Sequence, residues 1–82
     1  MNIKDFIQNF ANTFDVPITE NLSPDTIFKE LEEWSSMSLV FTISMIDEEY
    51  GVTIDDSIIR QNETLEDLFN AVKKLQEEKE RK

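Results

Sequence analysis

The chain has 82 residues, of which 39% are hydrophobic and 32% are charged, so it can build one small domain around a single core. It contains no Cys and no His, which excludes disulfides, a thiol nucleophile and the commonest general base. The net charge is −10, and residues 1–72 hold 15 acids but only 3 bases. This acidity disfavours nucleic acid and anionic membranes and favours basic protein surfaces, or it serves only to keep the chain in solution.

The first predicted element is a helix that begins after Asn2, a residue type suited to capping. We expect this helix to end at residues 15–17, because the residue before Pro17 avoids the α region. The beginning of the chain has neither the charge pattern nor the apolar stretch of a signal peptide, and no apolar run is long enough to span a bilayer. A cytoplasmic protein is therefore expected. Five apolar residues share one face of the first helix: Ile3, Phe6, Ile7, Phe10 and Phe14.

Residues 15–34 form a long connection in which Ser23-Pro24-Asp25 is a helix-start signal. One or two helical turns would then place Ile27, Phe28, Leu31 and Trp34 on one face. The second long helix follows Ser35 and Ser36 and runs to Tyr50, with Gly51 as its left-handed cap. Four residues of this helix fall within about 60° of one another and are expected to face the core: Leu39, Ile43, Ile46 and Tyr50.

A short helix is predicted to start at residues 55–57, and Thr64 with Asp67 is expected to cap the last helix. The last helix has a buried stripe of Leu65, Leu68, Phe69, Val72 and Leu75. Residues 76–82 have no apolar anchor and are expected to fray. The sequence thus predicts an all-α, four-helix antiparallel bundle with a long first connection, comprising a domain over residues 1–75 and a charged tail over 76–82.

An ordered set of segments resembles the acyl carrier protein family over residues 3–75. The set comprises Trp34-Ser35-Ser36-Met37-Ser38-Leu39, then Ile43 and Ile46, then Asp47-Glu48-Glu49-Tyr50-Gly51-Val52 with Ile54, and finally Thr64-Leu65-Glu66-Asp67-Leu68. The resemblance implies a four-helix bundle that carries acyl groups as thioesters on a 4′-phosphopantetheine arm. The family's Asp-Ser-Leu motif stands here as Ser35-Ser36-Met37, so the implied attachment residue is Ser36.

This position suits an attached phosphodiester, because a helix N-terminus favours an anion by about 0.3–1 kcal/mol. The arm would supply the thiol that the chain lacks, and a phosphopantetheinyl transferase would supply catalysis, so the chain itself need not be an enzyme. The alternative is that Ser36 is an ordinary N-cap, a role for which Ser35 competes. Ser35 and Ser38 are the other hydroxyls that could carry the arm.

The face of the second helix opposite its predicted core side is the expected docking surface for acyl-loading and acyl-transferring enzymes. It comprises Met37, Val40, Phe41 and Met45, with Asp47 and Glu48 steering approach. Alternatively, the long connection covers this face as a second side of the core. A slot for part of an acyl chain is expected among Ile43, Ile46, Ile54, Ile59 and Phe69.

The acids of residues 47–67 do not fit a calcium loop, because Gly51 is the fifth residue from Asp47 and such a loop needs Gly at its sixth position. We therefore expect no metal site. Two function hypotheses remain from the sequence: a monomeric acyl or aminoacyl carrier of fatty acid, polyketide or related biosynthesis, and an unmodified acidic helical adaptor with the same fold.

Overall fold

The computed structural model describes residues 2–14 and 21–80, and the regular elements within them are all helical. Four α-helices follow one another in these two segments: α1 (Ile3–Ala11), α2 (Ser36–Tyr50), α3 (Asp56–Gln61) and α4 (Leu65–Glu80). A short 3-10 helix, Phe28–Glu30, lies between α1 and α2. Helices α1 and α3 each pack against both α2 and α4. The prediction of a small all-α bundle is confirmed for the described part of the chain.

Polar side chains mark the beginnings of the helices, as predicted. The Asn2 side chain accepts the backbone N–H two residues further on at 2.7 Å, and the Asp55 carboxylate accepts the Ser57 N–H at 3.1 Å. Thr64 and Asp67 form a reciprocal capping box, with N–H to side-chain distances of 3.0 and 3.3 Å. Each cap satisfies a donor that the first helical turn would otherwise leave without a partner.

Helix α1 ends earlier than the sequence predicted. The hydroxyl and the N–H of Thr13 both donate to the Phe10 carbonyl oxygen, at 2.7 and 3.0 Å, and so close the helix after Ala11. Phe14 therefore packs on the core from a turn, with its N–H bonded to the Ala11 carbonyl oxygen at 3.3 Å. The predicted stop at Pro17 lies outside the described residues.

The core is built from aromatic rings surrounded by aliphatic side chains. Phe10 lies 6.0 Å from Phe28 and 6.2 Å from Trp34 between ring centroids, and Phe6 lies 5.5 Å from Phe69. These pairs join α1 to the connection and to α4, and their edge-to-face (Phe10–Phe28, Phe6–Phe69) and stacked (Phe10–Trp34) geometries add to the stabilisation from burial. Among the described residues, thirteen apolar side chains are buried: Phe6, Phe10, Phe28, Leu31, Met45, Ile46, Val52, Ile54, Ile59, Leu65, Leu68, Phe69 and Val72.

The connection before α2 runs past the start of α4. The carbonyl oxygens of Thr26 and Pro24 accept the N–H groups of Leu65 and Glu66, at 3.0 and 2.9 Å. The helix predicted to start at Pro24 does not form, because these carbonyls are bonded to α4 instead of to a helix of their own. Among residues 21–34 of the connection, the only helix is the 3-10 turn from Phe28, and Ile27, expected on the apolar face, is 41% exposed.

Helix α4 continues to Glu80, beyond Leu75, the last residue of its predicted apolar stripe. The Gln76 side-chain amide donates to the Tyr50 carbonyl oxygen at 3.1 Å, and the Lys79 ammonium donates to the carbonyl oxygen of Gly51. Both acceptors lie at the C-terminal end of α2, where carbonyls lack helical partners and a cation is favoured. Hydrogen bonds from Gln76 and Lys79, rather than apolar contacts, therefore attach this segment to the bundle.

Candidate functional site

Ser36 is the first residue of α2 and is exposed. The N-cap of this helix is Ser35, whose Oγ accepts the Ser38 N–H at 3.4 Å while the Ser38 hydroxyl accepts the Ser35 N–H at 3.0 Å. This reciprocal capping box means that Ser35, rather than Ser36, fills the capping role that the sequence left open between them. Within residues 2–14 and 21–80, no hydrogen bond engages the Ser36 hydroxyl, which therefore remains free for chemistry.

The other two serines near the start of α2 have structural roles. Ser38 is only 5% exposed, and its hydroxyl also donates to the Glu33 carbonyl oxygen at 3.3 Å. A modifying enzyme could reach it only after the capping box had opened. Ser35 is exposed, but its hydroxyl is engaged in the cap. Ser36 is thus the hydroxyl at this helix start that combines exposure with freedom from the cap.

The N-terminus of α2 favours an attached anion, whereas Glu32 and Glu33, just before it in the chain, oppose one. The first turn of the helix contains no acidic residue. Its N-terminal N–H groups and the helix macrodipole favour a negative group by about 0.3–1 kcal/mol. A phosphodiester on Ser36 would therefore fit this helix start without repulsion from the turn that follows.

The outer face of α2 is apolar and open over its first half. Met37 is 57% exposed, Val40 51% and Phe41 38%. Asp47 and Glu48 are also exposed, one to two turns further along. Met45 does not belong to this face, because it is 7% exposed and packs in the core. The predicted surface is therefore reduced to Met37, Val40 and Phe41, which we call the apolar patch.

The burial of Met45 follows from a rotation of α2 that apolar spacing does not reveal. Two polar residues on its side of the helix, Ser38 and Thr42, are buried at 5% and 0% exposure. Their burial costs little because the Thr42 hydroxyl donates to the Ser38 carbonyl oxygen at 2.8 Å and the Ser38 hydroxyl belongs to the cap. Of the residues predicted to face the core, Ile46 is fully buried, whereas Leu39, Ile43 and Tyr50 lie at the margin and are only partly buried.

The side chains of the predicted acyl slot belong to the packed core. Ile46 and Ile59 have no exposed surface, and Ile54 and Phe69 are 6% and 8% exposed. Ile43 packs against this cluster from its edge.

Two described cavities lie on a different side, between the end of α1 and α2. The larger, about 350 Å³, is lined by polar groups that include Asn9, Ser44 and Glu48. The smaller, about 150 Å³, we call the Glu33 cleft. Its wall includes Thr13, Phe14, Glu33, Ser35, Met37 and Phe41. One carboxylate oxygen of Glu33, Oε1, is buried without a hydrogen-bond partner. Neither cavity could be foreseen from apolar spacing, because the turn after α1 forms part of both walls.

Comparisons with known proteins do not identify a function for this site. No protein-family model matches the chain, and neither a curated protein nor a solved structure matches it. In the described part of the chain, no helix combines the length and apolar character needed to cross a membrane. Within residues 2–14 and 21–80, no three acidic side chains are grouped so as to hold a metal ion. The functional argument therefore rests on the helix start at Ser36 and the apolar patch.

Proposed function

We propose that this chain is an acyl carrier protein whose Ser36 bears a 4′-phosphopantetheine arm. The arm would hold acyl or aminoacyl groups as thioesters and present them to enzymes of fatty acid, polyketide or related biosynthesis. The observation that carries the proposal is the exposed Ser36 hydroxyl at the start of α2, free of the capping role that Ser35 performs. The resemblance of residues 3–75 to the family supports it independently.

The attachment reaction needs nothing from this chain except an accessible oxygen. The Ser36 oxygen forms a bond to the phosphorus that bears the pantetheine in coenzyme A, and the pyrophosphate P–O bond of coenzyme A breaks. Adenosine bisphosphate leaves, and the transferase accepts the hydroxyl proton. The product carries its negative phosphodiester at the N-terminus of α2, where the helix favours an anion. The pantetheine thiol then forms the thioesters, so a chain without Cys can carry acyl groups.

The apolar patch is the proposed contact surface for the partner enzymes. Met37 borders Ser36 directly, and Val40 and Phe41 follow within the next turn of α2. Flexible Met and aromatic side chains are well suited to such interfaces. Asp47 and Glu48 are exposed on the same helix and, within a chain of net charge −10, would steer basic enzyme surfaces toward it.

The decisive experiment measures intact mass after incubation with coenzyme A and a broad-specificity phosphopantetheinyl transferase. Wild type is expected to gain the mass of one arm, and Ser36→Ala is expected to gain none. Ser35→Ala is the matched control, because it removes the neighbouring hydroxyl and the cap but leaves the attachment oxygen. An unchanged wild-type mass, under conditions that fully modify a known carrier, would refute the proposal.

The exposed apolar patch also supports a second candidate function, an unmodified acidic adaptor that binds protein partners through Met37, Val40 and Phe41. This function does not use the Ser36 hydroxyl. An adaptor would therefore bind its partners equally well as wild type and as Ser36→Ala, whereas a carrier would lose all cargo transfer in that variant. Transfer assays with the modified and unmodified chain separate the two functions.

A further inference from the structure

We propose that Ser38 is a positioning residue for the modification of Ser36: its buried hydroxyl fixes the backbone that precedes Ser36 and so sets how the Ser36 oxygen is presented to the transferase. This inference rests on the proposed function and adds a residue that controls the rate of arm attachment. Ser38 acts through the backbone of its neighbours and not by contact with the reacting atoms.

The direction of the Ser36 hydroxyl depends on the backbone, because no hydrogen bond within residues 2–14 and 21–80 holds this side chain. Ser36 is the first residue of α2, and Ser35 before it is extended, with φ −145° and ψ 177°. The chain therefore changes from extended to helical between these two residues. Any change in their backbone angles moves the Ser36 side chain, so the reactive oxygen is only as well placed as this part of the backbone.

The Ser38 hydroxyl joins the first turn of α2 to the residues that lead into it. It accepts the Ser35 N–H at 3.0 Å and donates to the Glu33 carbonyl oxygen at 3.3 Å. Ser38 is only 5% exposed, so water competes little for either bond. One buried hydroxyl therefore ties two residues of the preceding segment to the helix, immediately before the attachment residue.

The same segment has a second anchor that does not depend on Ser38. The ring of Trp34 packs 5.3 Å from Phe28 and 6.2 Å from Phe10 between ring centroids. These contacts keep the segment on the bundle, so loss of the Ser38 hydroxyl is expected to loosen the helix start and not to unfold the chain. Stability of the bundle and placement of Ser36 can therefore be measured separately.

Placement of the attacking oxygen acts on the chemical step. Phosphoryl transfer needs this oxygen in line with the bond that breaks, and its catalysis depends largely on positioning. A loosened helix start would spread the Ser36 oxygen over several positions, of which only some are in line. In the proposed function, binding to the transferase depends on the apolar patch, which does not include Ser38. We therefore expect an effect on kcat with little effect on KM.

The test compares Ser38→Ala with Thr42→Val, two substitutions that each remove one buried hydroxyl and nearly conserve side-chain volume. Thr42 lies one turn further along α2, has no exposed surface and donates to the Ser38 carbonyl oxygen at 2.8 Å, within the helix. Thr42→Val therefore controls for the loss of a buried hydrogen bond that does not reach the segment before α2. Circular dichroism first establishes that both variants are folded at the temperature of the assay.

Initial rates of arm attachment by the broad-specificity transferase are measured from intact mass at several concentrations of the chain. Ser38→Ala is expected to lower kcat about tenfold and to leave KM for the chain within about twofold, whereas Thr42→Val should keep wild-type values. An unchanged kcat in Ser38→Ala, equal falls in the two variants or a rise in KM alone would overturn the positioning role. Failure of the proposed function itself would show differently, as the absence of any mass gain in wild type.

A thiol titration tests the same placement if the transferase does not act on the chain. Ser36→Cys introduces the sole thiol of the chain, and an ordered helix N-terminus lowers the pKa of a thiol because it favours the thiolate. The nearby Glu32 and Glu33 carboxylates are common to all variants. Adding Ser38→Ala is expected to raise the thiol pKa, followed by ultraviolet absorbance of the thiolate, and adding Thr42→Val should leave it unchanged. An equal pKa with and without the Ser38 hydroxyl would show that this hydroxyl does not order the helix start, and the inference would be wrong.

Discussion

Helix α2 carries one buried methionine, Met45, and one exposed methionine, Met37, and this difference tests how the helix is oriented. Met45 is 7% exposed and Met37 is 57% exposed, yet both occupy the same helix. We predict that Met45→Ala strongly destabilises the fold, whereas Met37→Ala leaves its stability nearly unchanged. The comparison is well matched because the two substitutions remove the same atoms, and Met and Ala have similar helix propensities.

The magnitude follows from the burial. Truncation of a buried Met to Ala removes apolar contacts and leaves a cavity, which costs about 2–5 kcal/mol. Met37→Ala at an exposed position is expected within about 0.5 kcal/mol of wild type. At roughly 0.05–0.15 kcal/mol per residue, a domain of this length has a free energy of unfolding of about 4–12 kcal/mol. Met45→Ala therefore removes a large fraction of the total.

The assay is urea unfolding of the unmodified protein, followed by far-ultraviolet circular dichroism. With a slope of about 1 kcal/mol/M for a small domain, the midpoint of Met45→Ala is expected to fall by about 2 M or more. The midpoint of Met37→Ala should stay within about 0.5 M of wild type. Equal shifts for the two variants, or a larger shift for Met37→Ala, would refute the observed rotation of α2 and return Met45 to the outer face.

Three further outcomes are expected. Phe41→Glu should leave the bundle folded, at a cost of about 1 kcal/mol, and slow acyl transfer from partner enzymes; loss of the helical circular dichroism signal would contradict a docking role. Gly51→Ala should cost about 1–2 kcal/mol in thermal unfolding, because Gly51 has φ +65° in the left-handed region; an unchanged Tm would argue against this cap. Burial raises the pKa of the Tyr50 phenol above its ordinary value of 10.0, assisted by the Asp5 and Glu49 carboxylates and opposed by the Asn9 amide, which donates to the phenol oxygen at 3.0 Å. The neutral phenol therefore contributes stability that is complete below about pH 10 and is lost as the pH rises through the folded-state pKa; a phenolate absorbance titration at or below the free value would disprove the shift.

Local signals in the sequence predicted most helix boundaries correctly, because each depends on a few adjacent residues. Asn2, Thr64 and Asp67 act as caps through side-chain bonds that span two or three positions. Gly51 ends α2 because a left-handed backbone is open to Gly without steric cost. The position of Ser36 at a helix start follows from the same local logic, whereas its choice as the candidate attachment residue follows from the resemblance to the acyl carrier protein family.

Contacts between distant segments decided what local signals left open. The carbonyl oxygen of Pro24 accepts the Glu66 N–H of α4. The helix that Ser23-Pro24-Asp25 predicted therefore does not form, and the chain turns there instead. Gln76 and Lys79 bond to the end of α2, and a segment without apolar residues therefore remained helical. In each case the partner lies far away in the chain, where spacing rules of a single helix do not reach.

By itself, the sequence determined the helical class and the starts of the four α-helices, because capping and apolar periodicity act over a single turn. It left open whether Ser35 or Ser36 is the N-cap of α2. Only the tertiary structure decided that Ser35 takes the cap, that Met45 is buried and that a cleft opens beside Ser36. The physical reason is that a buried hydroxyl costs little once it is hydrogen-bonded. Ser38 and Thr42 could therefore turn inward and rotate α2, an outcome set by packing against the other helices and not by hydrophobicity along the chain.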